Sequence, residues 1–79
     1  MNLESFNINQ KIKVQAKSSK GKNRIMEHGN IWRIKNKFKK GHFPWVEEDS
    51  ILLESIIDKV TSIDVQIIED KHFELVWGK

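Results

Sequence analysis

One feature constrains this chain most: its apolar residues fall at every second position, over and over, in runs too short for helices. Ile8, Ile12, Val14 and Ala16 lie on one side of a segment whose other side carries Asn9, Lys11, Lys13, Gln15 and Lys17. Ile63, Val65 and Ile67 alternate with Asp64 and Gln66, and Phe73, Leu75 and Trp77 alternate with Glu74 and Val76. Side chains of a strand point to opposite faces in turn, so each run reads as a strand with one face in a core and the other in water.

Two further segments are read as strands. Ile31 to Lys35 places Trp32 and Ile34 inward, with Arg33 and Lys35 toward water. Ser50 to Val60 fits two periods. As a strand it turns Ile51, Leu53, Ser55 and Ile57 to one side, and as a helix it forms a stripe of Leu52, Leu53, Ile56, Ile57 and Val60 behind Glu47, Glu48 and Asp49. The strand is preferred because neighbouring β segments need partners, and a helix near 46–60 is the alternative. The polar group Glu69-Asp70-Lys71-His72 is expected to turn the last two strands into a hairpin.

With 79 residues there is room for one domain, here 1–79, and residues 1–6 are expected to be loosely ordered. The chain contains no cysteine, so neither disulfides nor thiolate zinc ligands contribute. No apolar run exceeds three residues and the first residues lack the pattern of an export signal, so a cytoplasmic protein is expected.

Charge is divided sharply along the sequence. Residues 1–40 carry eleven Lys and Arg against Glu4 and Glu27, a net of +9, whereas residues 41–79 carry three Lys against nine acids, a net of −6. Such a basic half suits a polyanion, and Lys20, Lys22, Arg24, Arg33, Lys35, Lys37, Lys39 and Lys40 are the candidate nucleic-acid contacts. Phe38, Phe43 or Trp45 would be available to stack on bases. The competing expectation is that basic and acidic strands simply neighbour each other as cross-strand charge pairs. A second functional class uses Phe43 and Trp45, around Pro44, as an aromatic patch for a protein partner. Against it stands the expectation that tryptophans in a chain with so small a core lie in or at the edge of that core.

Between the first two strands lies the densest group of special residues, from Ser18 to Trp32. It reads as a long structured loop in which Asn23, Arg24, Glu27 and His28 supply hydrogen bonds, Gly29 a turn with positive φ, and Trp32 an anchor. The group Ser19-Lys20-Gly21-Lys22 evokes a phosphate loop. However, Ala16 stands where that motif needs its first glycine and Asn23 where it needs a hydroxyl. His28, His42 and His72 lack metal-ligand spacing, and Glu27-His28 would point apart in an extended segment. The expectation is therefore no enzyme, no metal and no cofactor.

Five short strands with a long elaboration after the first resemble an SH3-like barrel in element order, which implies a small antiparallel five-stranded all-β fold. The run Asn23-Arg24-Ile25-Met26-Glu27-His28-Gly29-Asn30-Ile31-Trp32, with Asp70-Lys71-His72-Phe73-Glu74, resembles small uncharacterised proteins of tailed phages and bacteria. That resemblance implies a shared loop feature and, for a phage product, a host bacterial cytoplasm, but no activity.

Overall fold

The computed structural model describes residues 3–76. Five strands form one antiparallel sheet: β1 (Lys11–Ala16), β2 (Ile31–Phe38), β3 (Ser50–Ser55), β4 (Ser62–Gln66) and β5 (Phe73–Val76), in the spatial order β4-β3-β2-β1-β5. One helix, α1 (Ser19–His28), connects β1 to β2. The alternation works as expected: Ile12, Val14, Trp32, Ile34, Ile51, Leu53, Ile63, Val65 and Phe73 are all buried, while Lys11, Lys13 and Gln15 are exposed. Ser50–Ser55 is a strand, so the alternative helix near 46–60 does not form; β3 is paired with β2 on one side and β4 on the other.

Several expectations need correction. The stretch 18–32 is not a loop. Ser18 caps α1 by accepting the Gly21 amide on its hydroxyl at 3.1 Å, and Gly29, at φ +80°, ends the helix with its amide on the Ile25 carbonyl. These two caps satisfy end groups that would otherwise be orphaned, and they define a helix that has almost no apolar stripe. Ile25 alone packs against the core, Gly21 is buried, and Met26 is exposed. Strand β2 runs on to Phe38, through a bulge between Ile34 and Asn36, beyond the expected end at Lys35. Ile8 and Ile57, expected on inner faces, lie outside the strands and are exposed.

The largest correction concerns the end of the chain. β4 and β5 exist but are not hairpin partners: β4 pairs with β3, β5 pairs with β1, and they lie at opposite edges of a sheet that is not closed. Asp70 sits between them. One carboxylate oxygen accepts the Gln66 amide at 3.1 Å, and the other accepts the His72 and Phe73 amides at 3.0 and 3.1 Å. The carboxylate thus takes up amides at the end of β4 and the start of β5 that no neighbouring strand satisfies. Trp77, expected to continue β5, lies outside the described residues.

The amino-terminal segment expected to be loosely ordered includes a 3-10 turn, Leu3–Ser5, that places Leu3 and Phe6 in the core. The bulge in β2 brings Lys37 opposite buried Ile51, hence onto the inner face, where its ammonium donates to the carbonyls of Leu3 and Phe6 at 3.1 and 2.9 Å. No helix among the described residues is long and apolar enough to cross a membrane.

Candidate nucleic-acid and protein interface

The eight cations singled out as nucleic-acid contacts occupy three settings. Lys20, Lys22 and Arg24 are exposed on α1, and Lys39 and Lys40 are exposed just after β2. Arg33, Lys35 and Lys37 are engaged within the protein. The Arg33 guanidinium bonds the Glu54 carboxylate across β2 and β3, Lys35 lies 3.5 Å from the same carboxylate, and Lys37 holds the amino-terminal turn. Glu54 is nearly buried, and the Arg33 hydrogen bond holds its carboxyl below the usual range against the opposing effect of desolvation.

Cross-strand charge pairing thus accounts for two cations on one acid. By contrast, Lys11, Lys13, Lys17, Lys20, Lys22, Arg24, Lys39 and Lys40 form no ion pair among the described residues. The first six follow one another along β1 and α1. On β1, alternation puts Lys11 and Lys13 on the solvent face, and Lys11 stands opposite Arg33 in the register.

α1 and the β2–β3 connection leave opposite ends of β2, which spans eight residues, roughly 26 Å at the usual rise. The connection, residues 39–49, is held by its own bonds. The Gly41 amide donates to Val46, the His42 amide to Lys39 and the Val46 amide to Phe43, at 2.9, 2.9 and 3.0 Å. Asp49 fastens both ends: its side chain accepts the Lys40 amide at 2.8 Å, and its carbonyl accepts the Ile67 amide at 3.0 Å.

On this frame stands an aromatic group. Phe38, at the end of β2, lies 5.7 Å from Phe43 between ring centres; His42 meets Phe43 edge-on at 4.5 Å; and Phe43 stacks on Trp45 at 4.7 Å with only 6° between planes. Trp45 is 72% exposed, against the expectation that tryptophans lie in the core or at its edge, whereas Trp32 is fully buried. Residue type alone assigns a tryptophan to the core or its edge. A proline-containing connection carries Trp45 outside the sheet instead.

Of the residues read as structuring the first loop, Asn23, Arg24 and Glu27 are exposed on α1. His28, Gly29 and Trp32 are tied together. The Trp32 indole donates to the Gly29 carbonyl at 3.1 Å, the His28 ring meets Trp32 edge-on at 5.8 Å, and His28 Nδ1 lies 3.3 Å from Asp58. Asp58 accepts the Thr61 and Val60 amides and the Thr61 hydroxyl, and these bonds hold its carboxyl down at about 2. His42 and His72 lie elsewhere, and among the described residues no group of three His, Cys, Asp or Glu side chains is arranged to hold a metal. Ser19 to Lys22 form the first turn of α1, a feature that the missing apolar periodicity concealed.

Sequence reasoning missed Ser18 and His72, whose side chains meet at 2.6 Å, and Asp70. It also missed Asp64, whose carboxyl is pushed up by desolvation and by the neighbouring charge of Asp70 against a hydrogen bond from Ser50. Comparison with protein-family models, curated proteins and solved structures returns no match.

Proposed function

We propose that this chain is a non-enzymatic binding protein of the cytoplasm that contacts nucleic acid through its basic amino-terminal half. The observation that carries this reading is the run of six cations along β1 and α1 without an acidic partner among the described residues, while Glu54 alone absorbs Arg33 and Lys35. Unpaired lysines on adjoining elements form the electrostatic footprint that phosphate binding uses. Five short antiparallel strands with a long elaboration after the first support an SH3-like architecture for the domain.

The test is binding to a single-stranded oligonucleotide and to a duplex as salt is varied. Affinity should fall steeply with salt. Replacing Lys20, Lys22 and Arg24 together by Gln should reduce the log–log slope by roughly 0.7–0.9 for each phosphate that is no longer neutralised. No binding at low salt overturns the reading.

A second reading is a protein-binding platform at Phe43 and Trp45. A rigid connection that presents a parallel aromatic stack to solvent favours it, because exposed, preorganised aromatic side chains are the usual anchors of interfaces.

A further inference from the structure

Trp45 borders a groove whose other walls come from the end of the β2–β3 connection, the start of β3, β4 and the β4–β5 connection. Glu47, Glu48, Asp64, Gln66 and Asp70 line it. Its four acids form no ion pair among the described residues. Asp70 is fixed by the three backbone amides it accepts, so one of the carboxylates is held in place. The groove therefore joins four carboxylates without an ion-pair partner among the described residues to a stacked indole.

We infer that this groove docks a basic, arginine-bearing extended segment of a protein partner, with the guanidinium between the Trp45 ring and the carboxylates of Asp64 and Glu48. The inference rests on the protein-platform reading and names the chemistry of its partner. Charge complementarity selects a cationic segment over an apolar or acidic one. A planar guanidinium matches both features of the groove, since it stacks on an aromatic face and can reach carboxylates with several donors at once. A nucleic-acid strand is disfavoured at this end of the sheet, because its phosphates would face the four acids. That role falls to the basic run of β1 and α1.

The repulsion between Asp64 and Asp70 adds a driving force, since a bound cation relieves it. Binding should accordingly weaken as the pH falls through the raised titration of Asp64.

The experiment is a titration of the ¹⁵N-labelled protein with three acetylated, amidated probes: an Arg-Gly-Arg-Gly peptide, its Glu-Gly-Glu-Gly counterpart, and an uncharged Leu-Pro-Leu-Pro peptide. The arginine peptide should move the Trp45 indole and the Asp64 and Gln66 amide resonances, and the glutamate peptide should not. Trp45→Ala should weaken binding about fivefold, the size of an exposed cation–π contact. Asp64→Asn should weaken it and flatten its pH dependence, and both exposed-site variants keep the fold. Movement of Trp45 by the uncharged peptide but not by the arginine peptide overturns the cationic partner while leaving the platform reading intact. No movement of Trp45 with any probe, or movement confined to residues outside the groove, overturns both.

Discussion

Ser18 and His72 are 54 residues apart in sequence, yet the Ser18 hydroxyl and the His72 ring meet at 2.6 Å. The hydroxyl accepts the Gly21 amide and also shares a hydrogen bond with His72 Nδ1, so one side chain both caps α1 and fastens it to the β4–β5 connection. The backbone repeats the link through the Lys17 amide, which donates to the His72 carbonyl at 2.8 Å.

Gly21 presses on that same carbonyl: a β-carbon added there would sit 2.2 Å from the His72 oxygen. Gly21→Ala would gain up to about 1 kcal/mol of helix propensity, but overpacking against a pinned backbone atom costs about 1–3 kcal/mol. The clash should dominate. The expected result in urea denaturation is net destabilisation; an increase in stability would show that the helix and the connection are not held together as described.

Asp70 makes a second clip. Replacing it by Ala leaves the Gln66, His72 and Phe73 amides without their acceptor, and each orphaned amide costs up to about 1–3 kcal/mol where water cannot reach it. Because the site is only partly buried, a total of about 2–3 kcal/mol is expected, with faster hydrogen exchange at Gln66 and Phe73. Asp70→Asn keeps one acceptor oxygen and should cost less. A change within about half a kcal/mol for the Ala variant, as at plain surface sites, would remove the clip.

These two contacts also explain what the sequence reveals and what it hides. Strand alternation is local, so β1, β3, β4 and most of β5 are legible in Ile12, Val14, Ile51, Leu53, Val65 and Phe73. Pairing is not local: the polar run 69–72 suits a hairpin turn, and only the register of Phe73 with Ala16 shows that β5 belongs to β1. Helix α1 is hidden because its core contact is a single residue, Ile25, and its ends depend on Ser18 and Gly29 rather than on a stripe. The candidate cations are legible as a charge run, but only Glu54 and the bulge that turns Lys37 inward separate the engaged ones from the free ones.

That separation is testable within one short segment. Lys37→Gln removes an ammonium that holds two carbonyls beside the core, and should destabilise the fold by about 1–2 kcal/mol without changing the salt dependence of nucleic-acid binding. The exposed pair Lys39 and Lys40, replaced together by Gln, should leave stability within about half a kcal/mol. Equal destabilisation by both changes, measured by thermal unfolding, would contradict the inward placement of Lys37.

The last prediction sets two carboxylates against each other. Asp58, held down at about 2 by amide hydrogen bonds from Thr61 and Val60, has a folded value below its usual 3.8. Its contribution is therefore fully present above that usual value and is lost as the pH falls from about 3.8 toward 2. Asp64 has the opposite sign: its folded value is raised by desolvation and by Asp70, so its ionisation opposes folding as the pH rises through that raised value. Asp58→Asn should lower stability at neutral pH and shrink the loss on acidification. Asp64→Asn should raise stability at neutral pH and have little effect in acid, where the carboxyl is already protonated. Urea midpoints recorded from about pH 2 to about pH 7 decide the matter, and destabilisation by Asp64→Asn at neutral pH would mean that its charge is compensated within the fold. Stabilisation, together with loss of arginine-peptide binding, would mean that the groove retains an unfavourable charge which only a bound cation relieves.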